Sequence, residues 1–351
     1  MTGLNRTGRR GLLDLAVLGI TGVLVALGAA AATGKPNTSE EGVREVRVSA
    51  TVMHSFLRSG EDRRDFGALR FIGGLALSSN DRAFGGYSGL EISADGTSLL
   101  AVSDAGTWFA GDLVSAGGRP AGIAKARIGP LIAMGGRTLG RARDRDAEAL
   151  RLVAGDFEKG TALIGFERND RIGFFSIDNR VLGAPVRYFR PPVDLPDNKG
   201  LEAVAVLRAK PLAGRVIAFA ERSVDGQGHH RGWIWGKAGP EAIALADKGG
   251  FDITDMAAAP DGDLYVLERR FRWSEGVRMR VRRIGASDIR PGAVLTGKML
   301  FEGDMRYQID NMEGIALYRD ARGRLILTLI SDDNFNSFLQ RTLVMQFRVL
   351  D

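Results

Sequence analysis

Apolar residues along this chain occur mostly in short runs that alternate with polar residues, as in RVIAFAER and DLYVLERR. Alternation with a period of two is typical of half-buried β-strands, and stretches with a helical period are few. Five of these runs open with an acidic residue, at intervals of 57, 54, 53 and 58 residues. The five residues are Glu91, Glu148, Glu202, Asp255 and Glu313.

A second acidic position follows each of the first at a distance of 13 or 19 residues. These positions are Asp104, Glu167, Glu221, Glu268 and Asp332. A fixed period of this length, built from strands, is typical of a β-propeller. If each first acid begins the innermost strand of a blade and the next strand runs antiparallel, both rows lie at one mouth of the central channel.

The pattern therefore predicts an all-β fold, a β-propeller in which five blades are favoured and a sixth, made from residues 46–80, is the alternative. The last repeat lacks an outer strand of its own. We expect the segment LRFIGGLALSS to close the ring beside the C-terminal strand TLVMQFRVL, because an open sheet edge invites aggregation. One domain spanning residues 46–351 accounts for the repeats.

The N-terminus has the pattern of a targeting segment. Arg6, Arg9 and Arg10 precede an apolar run over residues 16–32 that ends in small residues. We interpret residues 1–32 as a signal peptide or, alternatively, a membrane anchor, and the polar residues 33–45 as a linker. The expected location is the periplasm, either free or attached to the membrane through the N-terminal segment.

The amino-acid composition limits which metal sites, nucleophiles and binding partners the protein can have. The absence of cysteine excludes disulfides, thiolate metal sites and cysteine nucleophiles, and three histidines are too few for a typical zinc hydrolase centre. The net charge of +6 comes without the clustered basic and aromatic pattern of a nucleic-acid-binding protein. Oxygen ligands are the metal chemistry that remains, and a monomer is expected.

Carboxylates gathered at one channel mouth repel one another unless a cation or arginine compensates. Calcium suits such a ring because it accepts six to eight oxygen ligands in flexible geometry. The candidate metal ligands are Glu91, Glu148, Glu202, Asp255, Glu313, Asp104 and Asp332. The candidate catalytic carboxylates are Glu167, Glu221 and Glu268. In the alternative interpretation, all of these residues are hydrogen-bond acceptors that hold the repeats together.

Arginine follows three acids of the second row, and Arg168, Arg222 and Arg269 are therefore candidate ligands for an anionic substrate such as a phosphate ester. Salt bridging between blades is the alternative. A second basic feature is the alternation of Arg278, Arg280 and Arg282 with apolar residues. It indicates an outer strand with one basic face, which is either solvated or a docking surface for anions.

Several segments together resemble a known family. They are GGYSGLEISADG with AVSDAGTW, DAEAL, GLEAVAV, DITDMAAAPDGDLYVLERRF, and DNMEGIALYRD with LISDDNFNSFLQRTLVMQF. They resemble the bacterial family described as having esterase-like activity of phytase, over most of residues 69–350. The resemblance implies an exported β-propeller and phosphate-ester hydrolysis.

The leading hypothesis is an exported phosphoesterase-like hydrolase with calcium at the channel mouth, acting on a small phosphate ester. A non-catalytic propeller, stabilised by calcium and binding a cell-envelope ligand or a protein, is the alternative from another class. Hydrolysis of carboxylic esters or lactones is a third possibility. The fold alone does not distinguish among them.

Overall fold

The computed structural model describes residues 42–196 and 199–350. They form five sheets of four to six strands, in which every pair of neighbouring strands but one is antiparallel. Each innermost strand contacts the innermost strands of the two neighbouring sheets, and the fifth contacts the first. The sheets therefore close into a ring, and the fold is a five-bladed β-propeller.

The strands are numbered β1 to β24 along the chain, and each blade is given from the channel outward. Blade 1 contains Tyr87–Ile92 (β5), Ser98–Ser103 (β6), Thr107–Ala116 (β7), Arg119–Pro130 (β8) and Arg44–Glu45 (β1). Blade 2 contains Ala147–Gly155 (β9), Lys159–Phe166 (β10), Arg171–Asp178 (β11) and Val181–Phe189 (β12). Blade 3 contains Leu201–Val206 (β13), Val216–Val224 (β14), His230–Gly236 (β15), Gly239–Leu245 (β16) and Val294–Leu295 (β20).

The other two blades complete the ring. Blade 4 contains Asp252–Ala258 (β17), Leu264–Arg272 (β18), Gly276–Ile284 (β19) and Lys298–Gly303 (β21). Blade 5 contains Asn311–Arg319 (β22), Leu325–Asp332 (β23), Thr342–Val349 (β24), Leu69–Ser78 (β4) and Ser49–Met53 (β2), with Asp65–Phe66 (β3) paired to β4. Two short helical turns, Ala142–Arg145 (α1) and the 3-10 turn Ala286–Asp288, lie in connections.

The ring is closed as the sequence predicts. Strand β4 pairs antiparallel with β24, from Leu77 opposite Thr342 to Leu69 opposite Val349, and β2 pairs with β4 on its outer side. The chain's N-terminal strands therefore complete the last blade and supply no sixth one. Arg44 and Glu45, which we assigned to the linker, pair with β8 at the edge of blade 1.

Every innermost strand has a β-bulge near its start. The register of β5, β9, β13, β17 and β22 against the following strand shifts by one residue at equivalent places. The residues skipped at the shift are Ser88, Glu148, Glu202, Thr254 and Glu313. A bulge bends the strand and redirects the side chain of the extra residue. This device sets which side chains reach the channel mouth.

The core lies between neighbouring sheets, where the inward faces of their strands pack together. Between blades 4 and 5 the N-terminal arm inserts Phe56, whose ring lies 5.0 Å from that of Phe347 and 5.1 Å from that of Phe66 between centroids. All three side chains are buried. Across residues 42–196 and 199–350, no helix is long and apolar enough to cross a membrane. The predicted targeting segment lies outside the described residues.

Candidate functional site

One end of the channel opens into a cavity of about 350 Å³. Six carboxylates line it: Asp104, Glu148, Glu202, Glu221, Glu313 and Asp332. Arg269, Ser88, Asn311, Asn334 and Gln340 supply the other polar groups, and Phe271 and Val277 form an apolar part of the wall. All six carboxylates belong to the residues proposed from the sequence.

Two structural positions in each blade direct side chains at this cavity. The first is the bulge residue of the innermost strand, which is acidic in blades 2, 3 and 5. The second is the residue of the next strand that lies opposite the start of the innermost strand. The backbone N–H of Asp104 donates to the carbonyl of Gly86 at 3.0 Å, and the N–H of Glu221 donates to the carbonyl of Gly200 at 2.9 Å. The rows predicted from the sequence therefore converge, although not in every blade.

Blade 4 departs from the other blades at both positions. Thr254 occupies the bulge, and its hydroxyl donates to the carbonyl of Met312 at 3.2 Å. Arg269 takes the place that an acid has in the other blades, since it pairs with Asp252 across the hairpin. Its Nε lies 3.1 Å from Glu313 Oε1, and its Nη2 lies 3.8 Å from Glu221 Oε1. Blade 4 thus provides the cation of the mouth.

Glu91 and Asp255 lie deeper in the channel, outside the set of cavity-lining residues. Both are associated with Arg151, which is three residues, or about 10 Å, further along β9 than Glu148. Arg151 forms an ion pair with Asp255 and donates to the carbonyls of Met256 at 2.8 Å and Leu90 at 2.9 Å. Glu91 Oε1 lies 4.0 Å from Arg151 Nη1. These groups form an ion cluster among the innermost strands, apart from the residues that line the cavity.

The deeper carboxyls are costly to ionise. Desolvation raises the pKa of Asp255 to about 7, although Arg151 acts in the opposite direction. Desolvation also raises the pKa of Glu91, against the influence of Arg151 and of the Leu152 N–H that donates to its Oε1 at 3.1 Å. Their partners are provided by the protein itself, so we leave both residues out of the proposed metal site.

Glu268 is also placed away from the mouth. Its carboxylate is fully buried and accepts two hydrogen bonds from Arg280, both at 2.7 Å, and two from Arg282, both at 2.6 Å. Arg280 and Arg282 are themselves buried, so the basic strand is not the solvated face expected from the sequence. The carboxylate that we considered catalytic instead holds two cations inside blade 4.

The three candidate arginines are separated. Arg269 lines the cavity. Arg168 lies with its Nε 2.8 Å from Asp146 Oδ2 and lines a different pocket, beside Arg143 and Arg190. Arg222 forms an ion pair with Asp252 and is half exposed. Arg222 Nε also lies 3.7 Å from Glu221 Oε1, but Arg269 is the one of the three that lines the cavity, so it is the candidate ligand for an anion bound there.

Burial and charge repulsion together raise the pKa values of several carboxyl groups at the mouth. Desolvation, together with repulsion from Glu148, Glu221, Glu167 and Glu313, holds the pKa of Glu202 well above its usual range. Desolvation raises the pKa of Glu221 to about 8, with Arg222 and Arg269 opposing the shift. Desolvation and repulsion from Asp104 and Glu313 likewise hold the pKa of Asp332 well above normal. A bound cation would relieve this cost.

The spacing of the oxygens fits a hard cation. Carboxylate oxygens of Glu167, Glu202 and Glu221 lie within 4.8 Å of one another, and so do those of Asp146, Glu148 and Glu167. Oxygens bound to one Ca²⁺ at 2.3–2.6 Å are separated by such distances, and flexible oxygen-rich coordination is what calcium accepts. Glu167 belongs to both groups. Asp146 was not considered from the sequence, although it stands two residues before Glu148.

Comparison with known proteins agrees with the sequence resemblance. Residues 82–335, more than half of the chain, match the family model described as "Phytase-like: Esterase-like activity of phytase". No curated protein matches the chain significantly. Among solved structures, Raptor from Chaetomium thermophilum is similar with a TM-score of 0.41 and 9% sequence identity, over 84% of this chain and 30% of that one. The chain thus spans under a third of the length of that protein.

Proposed function

Because the chain belongs to the Phytase-like family, we propose that it is a hydrolase of phosphate esters that works with calcium at the acidic channel mouth. The observation that carries the proposal is the close approach of carboxylates from several blades. Their burial, together with their crowding, holds the pKa values of Glu202 and Asp332 well above normal. A cost of this kind is expected at a functional site, where burial and like charges shift pKa values.

Each side chain of the mouth has a proposed role. Glu167, which belongs to both close-set groups, would hold the cation together with Glu202 from one group and Glu148 from the other, and Glu313, Asp104 and Asp332 would complete the negative ring around it. Bound calcium would supply positive charge that polarises the phosphoryl group and lowers the pKa of an attacking water. Arg269 holds a phosphoryl oxygen, for which its planar guanidinium is well suited.

Glu221 is the proposed proton acceptor in the calcium-bound protein, in which the positive charge would lower its pKa from about 8 and leave it ionised. It lies between the carboxylates of the mouth and Arg269, whose Nη2 is 3.8 Å from its Oε1. In the reaction the water oxygen bonds to phosphorus as the ester P–O bond breaks. Glu221 takes one proton of the water, and the leaving alkoxide takes a proton from solvent. No protein nucleophile is required by this route.

Hydrolysis of 4-nitrophenyl phosphate, measured with calcium and with chelator, tests the proposal. We expect turnover with calcium, a loss of at least about tenfold with chelator, and a similar loss on Glu202→Gln. Glu241→Gln is the matched control, because Glu241 pairs with Arg215 on the exposed surface of blade 3. Equal rates with and without chelator would contradict a metal-dependent mechanism.

Acyl-ester hydrolysis is a second candidate, since the description of the family includes esterase-like activity. The same preparation assayed on 4-nitrophenyl acetate and on a lactone separates this reaction from phosphate-ester hydrolysis. Calcium-dependent thermal stabilisation without turnover of any ester would instead support the non-catalytic propeller that binds an envelope ligand or a protein.

We also propose that the protein is exported to the periplasm as a monomer. The support is the arginine-led apolar run over residues 16–32. Fractionation of cells that express the full chain, with the mass of the recovered protein, tests this. A periplasmic product shortened by about 30 residues indicates signal cleavage, whereas a full-length product in the membrane fraction indicates an anchor.

A further inference from the structure

The hairpin of blade 4 projects beyond the level of the mouth. Strand β6 of blade 1 and strand β10 of blade 2 end at the mouth, at Ser103 and Phe166, which are equivalent to Glu268. Strand β18 instead continues to Arg272 and returns as β19 from Gly276, much as β14 of blade 3 continues past the equivalent Ala220 to Val224. The additional length of β18 and β19 forms one wall of the cavity.

The wall is apolar on its cavity side. Phe271 pairs directly with Val277 across the hairpin, and both line the cavity above Arg269. The ring of Trp273 packs edge-on against that of Phe271, with 5.3 Å between centroids. Phe271 is nevertheless 48% exposed and Trp273 is 93% exposed. The wall therefore presents aromatic surface next to the charged groups.

The charged groups of the hairpin are engaged elsewhere. Arg270 and Arg272 donate to Glu275 at 2.5 and 3.2 Å, and Arg278 donates to Glu302 at 2.6 Å. Among the described residues that line the cavity, Arg269 is the only cation, and two glutamates already contact it. The mouth therefore offers one phosphate-binding group besides a bound cation, which does not suit a ligand with several phosphates.

Ligand sites of proteins commonly combine an apolar wall with a few convergent polar groups. Phe271 and Val277 line the same cavity as the carboxylates. The group that packs against this wall is therefore part of the molecule bound at the mouth. We propose that the substrate is a phosphate monoester with a single phosphate and an aromatic organic group, which packs against Phe271 and Val277 beside Trp273. This inference rests on the phosphoesterase function proposed above.

The test compares two esters with equally poor leaving groups, 2-phenylethyl phosphate and ethyl phosphate, which differ by the phenyl ring. Apolar contacts of this size change kcat/KM by about tenfold or more. We expect at least that preference for the phenyl ester, and we expect Phe271→Ser with Val277→Ser to reduce the ratio towards one. Phe338→Ser is the control, because Phe338 is 94% exposed in the neighbouring loop but does not line the cavity.

A binding measurement separates failure of this inference from failure of the proposed function. Phenylphosphonate and methylphosphonate, which are not hydrolysed, are titrated in the presence of calcium while the tryptophan fluorescence is followed, and Trp273→Phe identifies the part of the signal that comes from Trp273 among the four tryptophans. Tighter binding of phenylphosphonate that depends on Phe271 supports the inference even if no ester is turned over. A kcat/KM ratio near one, a preference for an inositol polyphosphate, or equal or undetectable binding of both phosphonates would overturn it.

Discussion

The bulge residue of each innermost strand largely determines the chemistry of the mouth. Blades 2, 3 and 5 place glutamate there, blade 1 places Ser88 and blade 4 places Thr254. Around the ring the glutamates of blades 2 and 3 are neighbours, whereas that of blade 5 lies between the two hydroxyl-bearing blades and beside Arg269. This asymmetry gives the fivefold scaffold an acidic mouth with one cation, at blade 4.

Glu202 and Glu313 should respond oppositely to neutralisation. The charged neighbours that shift Glu202 most are all acidic, whereas Glu313 lies 3.1 Å from Arg269. In chelator, Glu202→Gln should raise the melting temperature and Glu313→Gln should lower it. Calcium should stabilise the wild type, by about 2.7 kcal/mol at a hundredfold excess over its Kd, and stabilise Glu202→Gln far less. Thermal scans with and without chelator measure the melting temperatures of the wild type and the two variants.

If chelator leaves the melting temperature of the wild type unchanged and Glu202→Gln is strongly destabilised, the carboxylates of the mouth are structural acceptors and calcium is not their ligand.

The pKa of Glu221 gives a pH dependence with a definite sign. Its folded-state pKa of about 8 exceeds the ordinary value of 4.5, so the folded state binds this proton more tightly than the unfolded state. The resulting stabilisation is complete below pH 4.5 and is lost as pH rises to about 8. In chelator, the melting temperature should therefore fall across this range. Calcium, which displaces protons, should restore more stability at pH 8 than at pH 5.

Glu221→Gln is the control for that profile, since it removes the titrating group and should flatten the decline. A decline of unchanged steepness in the variant would assign the effect to other carboxyls.

At the scale of the strand, the sequence predicted most of the architecture. The innermost strands and the closure by β4 follow from repeats and from the need to cover an edge, both of which are visible as patterns. The register within blades 1 and 4 could not be predicted. The alternation of polar and apolar residues does not show where a bulge inserts one extra residue. Glu91 is three residues beyond the bulge at Ser88, and Asp255 is one residue beyond the bulge at Thr254.

The separation between the two acids of each repeat does distinguish these two blades from the others. The three units with a separation of 19 residues place both of their acids at the mouth, where Glu167 lies within 4.8 Å of two cavity-lining acids and the other five line the cavity. The two units with a separation of 13 are those in which the register differs. The burial of Arg280 and Arg282 was also not predictable. A period of two identifies one face of a strand, but whether solvent or a buried glutamate lies on that face depends on tertiary packing.

The ion cluster inside blade 4 predicts a large loss of stability on Glu268→Gln. One carboxylate bonds two buried guanidinium groups there, and its removal leaves two charges without their counterion. Breaking a buried pair from one side costs about 3–5 kcal/mol. Chemical denaturation measures the change. Activity per folded molecule should be unaffected, because Glu268 does not line the cavity.

The matched variant is Glu302→Gln, in which the lost partner, Arg278, is partly exposed at the edge of the same blade. It should cost less than about 1 kcal/mol, as surface pairs do. A comparable loss in both variants, or a loss of activity on Glu268→Gln that exceeds the loss of folded protein, would contradict the structural role.

At the scale of the whole molecule, Arg151 connects blades that are distant in sequence. Its guanidinium bonds backbone carbonyls of blades 1 and 4 and the carboxylate of Asp255, whose other oxygen accepts the N–H of Ile315 in blade 5 at 2.9 Å. With its own strand in blade 2, four of the five blades meet at this cluster.

Replacing Arg151 by Met should therefore loosen the ring in a pH-dependent way. Desolvation already raises the pKa of Asp255 to about 7 while the arginine opposes the shift, so without Arg151 this pKa should rise further. Below it Asp255 is neutral and its burial costs little. Above it, an uncompensated charge lies in a side chain with no exposed surface.

The loss of melting temperature relative to wild type should thus be larger at pH 8 than at pH 5, and Arg151→Met with Asp255→Asn should recover most of the difference at pH 8. An equal loss at both values, or no recovery in the double variant, would show that Arg151 acts through its backbone hydrogen bonds and packing alone.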